Sequence, residues 1–449
     1  MNFLPDRRLS RQVVKIAAPA IAGLSSQMVV SLVDTAMVGR LQNAEIALAA
    51  MGLGLLATWA IISIFSSLAT GTHVLVARRY GEVDKPAAGQ VLNNSLVVCG
   101  VLGLIFGTLG YYFSYEIIDI FSSDDEVSIA GDGYMMYRFL GLPFFLISVA
   151  YRGFFYGIGR TNIFMISAII MNLLNIVFNY FLIFGNFGFP RMELAGAGLA
   201  STIGIIVSTF LFVFVTFLRN YRIPYKYYKD IRLSKDIIRS IFRISVPVSV
   251  QSFFILSGFL VFVGITGIVG TLEQAATQVV ITALFISFMP LFGFGIAAQT
   301  LIGHHMGNKK MFLAQSLGFE TAKLGTIFTI GVGLIFLLLP QYVLLIITTN
   351  ENVIEAAIPV IRIAGVAQVF YAVGIILANA LQAAGAMVFV MASEIITHWI
   401  IFLPFAYVFA VILDLGLIGA WLALPAYIVS YSLIMFIKFR AGGWKKLQV

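Results

Sequence analysis

Three acidic residues fall inside long apolar runs of this 449-residue chain: Asp34, Glu320 and Glu394. A charge held at mid-bilayer depth is costly, so an ionisable residue within a membrane span is a functional candidate by default. Asp34 shares a helical face with Ser31 and Gln27, three and seven residues before it. Asn172, Asn175 and Asn179 form a second polar stripe at i, i+3 and i+7. Two such stripes face each other or a wet cavity, not lipid. Desolvation disfavours the charged form of a carboxyl, so one placed there can take up a proton on one side and release it on the other. Alternatively, the asparagines form a hydrogen-bond seam that glues helices, at about 1 kcal/mol per contact. Glu394 and His398 lie one helical turn apart. Histidine titrates near neutrality, so the two suit a proton-responsive pair, a static buried ion pair or an anchor for a cationic substrate. Glu320 and Lys323, at i and i+3, fit a structural ion pair.

The elements that position these groups must be membrane helices. Hydrophobic residues make up 60% of the chain and charged ones 11%, with a mean hydropathy of +0.98. Soluble chains run at about 45–50% apolar and about 25% charged. A water-soluble domain of this size cannot hide that much apolar surface, which excludes a soluble enzyme, a nucleic-acid-binding domain and a disordered hub. The net charge of +8 therefore does not point to nucleic acid, and its distribution matters more than its sum. A span needs about 20 apolar residues. Twelve candidates follow, near 13–38, 46–76, 91–113, 134–157, 162–184, 194–218, 238–269, 275–303, 313–347, 354–382, 387–411 and 416–438. The run after Lys15 is too long for a signal-peptide core and lacks a clear cleavage site, so it reads as a retained first span.

Of the 28 lysines and arginines, 22 lie in the N-terminus, the loops after spans 2, 4, 6 and 8, and the C-terminus. The positive-inside rule then places both termini in the cytoplasm. Acidic residues cluster on the other side, from Glu116 to Asp132 after span 3.

The chain also repeats itself at offsets of 223–231 residues. Ile16-Ala-Ala-Pro19 answers to Ile244-Ser-Val-Pro247, and Val38-Gly39-x-Leu41 to Val269-Gly270-x-Leu272. Arg138-x-x-Gly141 recurs as Arg362-x-x-Gly365, and Leu194-x-Gly196-Ala197 as Leu417-x-Gly419-Ala420. Six spans per repeat is an even number, so both halves enter the bilayer with one orientation, the parallel-repeat arrangement of some secondary transporters. The expected architecture is an all-α polytopic membrane protein of two pseudo-symmetric six-helix bundles. An N-lobe covers 1–218, a solvated basic connector that touches anionic lipid covers 219–236, and a C-lobe covers 237–449.

Several motifs now carry a resemblance. They are Pro19, Val33-Asp34-Thr35-Ala36-Met37-Val38-Gly39-Arg40-Leu41, Ala77-Arg78-Arg79-Tyr80-Gly81, Arg152-Gly153-x-x-Tyr156-Gly157-x-Gly159-Arg160-Thr161, Asn175-x-x-x-Asn179 and Gly196-Ala197-Gly198-Leu199-Ala200. End to end, the chain resembles the multidrug and toxic compound extrusion (MATE) transporters. The resemblance implies a V-shaped pair of bundles that exports organic compounds against an inward proton or sodium gradient. It also implies an N-lobe coupling cluster at Asp34, Asn175, Asn179 and Thr202, and it raises Asp34 above the other candidates. Oxygens of these four would suit a sodium ion, a hard cation. Asn179 departs from the family pattern, in which a second carboxylate stands there. The acids that the NorM-like branch carries in spans 7 and 10 align with Ile255 and Tyr371, so the pattern leans to the DinF-like group. Gln27, Ser31, Asn172, Glu394 and His398 remain substrate or cavity candidates.

Cys99, the single cysteine, reads as a small buried hydrophobe. Gly153, Gly157 and Gly159 lack a strand-turn-helix context and read as sites of close helix approach. Pro19, Pro143, Pro247, Pro290 and Pro404 are placed to kink spans. The expected function is proton- or sodium-coupled antiport of small amphipathic, often cationic compounds by a monomer in the plasma membrane. No further cofactor, nucleic acid or enzymatic constellation is implied. The alternative is a lipid or lipid-linked oligosaccharide flippase of the same superfamily, disfavoured by the few basic residues within spans.

Overall fold

The computed structural model describes residues 5–122, 124–228 and 231–447. Eleven of its helices are long and apolar enough to cross a membrane, and a bent pair supplies a twelfth span. Spans 1–3 are Arg7–Val38, Ala44–Gly81 and Lys85–Tyr112. Span 4 differs from the single helix expected over 134–157: Asp125–Leu140 and Leu142–Gly157 meet at 45°. Pro143, in the first turn of the second limb, has no N–H to continue the ladder, which breaks the helix at Gly141. Spans 5–9 are Thr161–Phe184, Glu193–Phe217, Lys235–Val269, Thr271–Gly307 and Met311–Leu338. Spans 10–12 are Glu351–Ala383, Met387–Ile412 and Gly416–Ala441. Span 11 contains π-helical turns at Thr397–Phe402 and Val408–Ile412, on either side of Pro404. Such wider turns re-satisfy backbone groups around a proline.

The chain divides into two compact units, Ala22–Ser249 and Met1–Ile21 with Val250–Val449. These boundaries depart from the loop boundaries that the repeat suggested, because both fall inside long helices. Each follows a repeat-matched proline, Pro19 or Pro247, by two residues. The first half of span 1 belongs to the C-lobe unit: Val13, Ile16 and Ala17 are buried against Ala297, Leu301 and Leu317. Glu320 anchors its start, accepting from the Asp6 amide at 2.6 Å and the Ser10 hydroxyl at 2.7 Å. A carboxylate there also complements the positive end of the helix dipole. The expected Lys323–Glu320 ion pair is present at 3.3 Å, but the chain's own N-terminus is the larger partner.

The first half of span 7 belongs to the N-lobe unit in the same way. Ser67 and Ser249 share a hydrogen bond of 2.5 Å, and a Cβ on Gly71 would strike Ser245 Oγ at 2.4 Å. The connector is more than a solvated loop. Its basic side chains Arg219, Arg222, Lys226 and Arg232 are exposed, whereas Tyr225 and Tyr227 are buried on the N-lobe unit. Tyr227 donates to the Thr216 carbonyl at 2.8 Å, and Asn94 bridges the Arg232 carbonyl and the Ser234 amide. Lys229 and Asp230 lie outside the described residues.

Candidate functional site

Span 1 approaches span 5 closely because residue 23 is glycine. A Cβ there would lie 2.6 Å from the Phe164 ring and 3.2 Å from the Met165 backbone. The two helices run parallel past this point, and their polar stripes meet twice, two turns apart. Near the glycine, Asn172 donates to Ser26 Oγ at 2.8 Å. Farther along, Asn179 donates from Nδ2 to Asp34 Oδ1 at 2.5 Å. With the Asn175 amide turned to satisfy its neighbours, its nitrogen also donates to Asp34 Oδ1 at 2.8 Å. Its oxygen then accepts from the Ser201 amide and hydroxyl at 3.2 and 3.1 Å. Asn179 Oδ1 is buried with no partner.

Asp34 opens on a cavity of about 230 Å³ within the N-lobe unit, which Gln27, Ser31, Asn172, Asn175 and Ser201 also line. Phe145, Phe164, Met171 and Phe212 supply apolar wall, and Arg138 and Arg152 add positive charge. Arg138 is the basic group that acts electrostatically on Asp34. The cavity's mixture of apolar wall and a few convergent polar groups is that of a small-molecule site.

Thr202 is not brought to this group. It donates to the Tyr137 carbonyl at 2.6 Å, and Thr209, two turns on, donates to the Phe144 carbonyl at 2.9 Å. Span 6 thus satisfies carbonyls on both sides of the span 4 bend, while Ser201 faces the amides. Sequence comparison alone cannot separate two adjacent hydroxyl residues. Their helical phase differs by about 100°, and only packing decides which one faces inward. Ser26 was hidden for the same reason, next to Gln27. Arg138 and Arg152 did carry a signal, since an arginine inside a span is itself a marker of function.

In the C-lobe unit, Glu394 and His398 are both buried but do not pair. Glu394 accepts from the Tyr427 hydroxyl, and Tyr431 and Gln251 also hydrogen-bond to it. Gln382 holds Gln251 in turn, at 3.2 Å. His398 sits on the first π turn among the rings of Phe259, Phe402 and Tyr427, at 5.0–5.2 Å, and neither of its ring nitrogens has a hydrogen bond. Its edge presses on Gly258, where a Cβ would come within 2.4 Å. Both residues meet Tyr427, His398 at its ring and Glu394 at its hydroxyl, so the i, i+4 spacing holds but phenols, not the imidazole, serve the acid. Gly153 and Gly157 mark close contact between spans 4 and 2: a Cβ on either would lie 2.6 Å from Ala69 O or Val76 Cγ1.

Twelve apolar spans, a twofold internal repeat and a polar cavity walled by membrane helices define a polytopic membrane transporter. The chain belongs to the MatE family, whose sequence profile matches it twice, over residues 19–181 and 247–408. It is a MATE transporter and not an enzyme. The probable multidrug resistance protein NorM of Thermotoga maritima is 28% identical over 100% of this chain and 96% of its own length. Among solved structures, an outward-facing multidrug resistance MATE family transporter of the MOP superfamily superposes with a TM-score of 0.89 at 21% identity. The alignment covers 96% of this chain and 95% of that one. A MOP superfamily transporter from Pyrococcus furiosus, whose reverse pocket polarity suggests a different function, gives a TM-score of 0.89 at 21% identity. That match covers 98% of this chain and 97% of the other. Both likenesses bear on the fold.

Proposed function

We propose that this transporter exports small amphipathic, often cationic organic compounds by proton-coupled antiport with alternating access, and that Asp34 is the coupling residue. One observation carries this: the acid is held by Asn175 and Asn179 at the edge of a cavity sized for a small molecule. Proton and cargo compete for Asp34, so each leaves as the other arrives. A proton suits the group better than sodium does. Both amides turn their nitrogens toward Asp34, whereas a hard cation needs oxygens turned inward. Holding sodium would require Asp34, Asn179 Oδ1 and a reoriented Asn175, without Thr202. With an amide at 179 in place of a second acid, one proton per cycle is the expected stoichiometry. Coupling through the N-lobe would favour the DinF-like branch, although the Thermotoga maritima relative bears the name NorM.

The charge asymmetry of the loops supports a plasma-membrane protein with both termini cytoplasmic. The flippase alternative meets a cavity of about 230 Å³, which is small for a lipid-linked oligosaccharide.

The test is transport of a fluorescent organic cation into liposomes carrying the purified protein, under an imposed proton or sodium gradient. Each pH unit supplies about 1.4 kcal/mol. Uphill transport driven by the proton gradient and lost in Asp34→Asn is the expected result. Sodium-driven transport would overturn the choice of ion. Movement indifferent to both gradients would turn the assignment to a flippase or facilitator. Fusing a cytoplasmic-only reporter to the C-terminus checks the orientation.

A further inference from the structure

The two arginines in the wall of the N-lobe cavity have different surroundings. Arg138, on the first limb of span 4, lies over the Tyr134 ring at 5.9 Å and acts on Asp34, so its charge has a partner in the same cavity. Arg152, on the second limb, has no such partner. The groups that act electrostatically on it are Tyr156 and Cys99, both uncharged at neutral pH. Among the described residues it forms no ion pair. Its guanidinium lies over the Phe145 ring at 5.3 Å, and its Nε is buried without a hydrogen-bond partner. The hydroxyls that share this wall are engaged elsewhere, Ser148 with the Phe145 carbonyl at 2.7 Å and Ser208 with Ser167 at 2.7 Å. Arginine keeps its proton in proteins and has donors only. A ring contact engages the face of the guanidinium and leaves its edge for an acceptor in its plane. An unpaired permanent charge inside a membrane bundle is costly, and the protein supplies nothing to pair with this one.

We propose that Arg152 seats a small monovalent inorganic anion, chloride being the simplest, as a resident counterion in the N-lobe cavity. The demand is for one charge, because Arg138 is already engaged with Asp34. A divalent anion would leave an excess negative charge against the apolar wall of Phe145, Phe164 and Phe212. Water satisfies a guanidinium edge but brings no charge. A monatomic anion needs little more room than one water molecule, and the cavity of about 230 Å³ supplies it. Seated there, the anion cancels the field of Arg152 in the space where Asp34 works, so a fixed arginine and an acid that receives cations coexist in one cavity. The anion is a fixture of the site and not its cargo, and its binding does not depend on what the cavity exports.

Chloride and bromide alone are the probes, applied to the purified full-length protein with no organic compound present. Thermal unfolding is followed while chloride replaces gluconate at constant ionic strength, which keeps screening fixed. Wild type is expected to show a saturable rise of about 2–4 °C, the shift that a ligand in excess over its dissociation constant gives a domain of some 200 residues. Arg152→Gln should abolish the chloride-dependent rise, and Arg152→Lys, which keeps the charge, should retain part of it. Arg362→Gln removes an exposed arginine and should leave the rise intact. In crystals grown with bromide, an anomalous peak is expected beside the Arg152 guanidinium. If Arg152→Gln does not fold, the bromide peak and the wild-type and Arg152→Lys titrations still decide. No rise in wild type overturns the proposal, as does a rise that fails to saturate or that survives in Arg152→Gln. Bromide peaks elsewhere with none at Arg152 overturn it equally.

Discussion

At the offset of 223 residues that relates Leu194 to Leu417, Asn175 and Asn179 of span 5 correspond to His398 and Phe402 of span 11. In the N-lobe unit the two amides hold an acid at the edge of a cavity. In the C-lobe unit the same places carry rings that close on one another, His398 and Phe402 at 5.2 Å and Phe402 and Phe262 at 4.7 Å. Arg138 lines the N-lobe cavity, whereas its counterpart Arg362 is exposed. The backbone plan nevertheless repeats. Gly196 and Gly419 each press on the preceding span, where a Cβ would lie 2.7 Å from Leu182 C or 2.6 Å from Phe409 O. Small residues at matching positions set the helix packing of both lobes, and the side chains between them decide which lobe keeps room for chemistry.

The comparison breaks most decisively at the two buried acids. Asp34→Asn should reduce gradient-driven export by about 100-fold, near the top of the usual range of coupling free energies. Glu394→Gln should stay within about twofold of wild type, because its phenol and amide partners accept a neutral amide with little change. Equal losses in liposome transport would mean that both lobes couple. The shared packing comes next. Gly196→Leu and Gly419→Leu should each cost about 1–3 kcal/mol by overpacking, seen as similar drops in thermal unfolding temperature. A large drop in only one would show that the repeat is not a structural one.

Tyr427→Phe removes a donor from Glu394 and should cost about 1–2 kcal/mol of stability with export retained. Loss of export with no loss of stability would give the C-lobe acid a functional part. The smallest effect is expected at Thr202→Val, which loses one bond to the Tyr137 carbonyl at about 0.6 kcal/mol, the mean for such contacts in membrane bundles. Ser201→Ala should disturb export more than Thr202→Val, and the reverse order would restore Thr202 to the coupling group.

The span count and the repeat were legible in the sequence because lipid imposes a length and an apolar character on every helix, and Pro19 and Pro247 kept their places in both halves. Asp34 and the three asparagines were legible because a polar residue in a span has few reasons to be there. The exchange of half-helices was not, since a boundary inside a continuous apolar run leaves no mark in composition. The bend of span 4 was marked by Pro143, but its angle comes from packing. The Glu394–His398 pairing failed because tyrosines of span 12 serve the acid and rings enclose the imidazole, partners that local spacing does not reveal. The connector's tyrosines were masked by its basic residues. Charge told where the segment lies, while the rings determine what it holds.

The anchoring of the chain's start to Glu320, across 314 residues, has a consequence for how the protein is made. Synthesis delivers the first half of span 1 to the membrane long before spans 8 and 9 exist to receive it. Domains usually mature in the order in which they are made. Here the earliest segment must wait, and the N-lobe unit must assemble with a helix whose leading half is still unclaimed. Its place there is completed only when span 7 arrives. A chain stalled before residue 320 therefore leaves the amide of Asp6 without its acceptor, and the first half of span 1 is claimed only once spans 8 and 9 have been made.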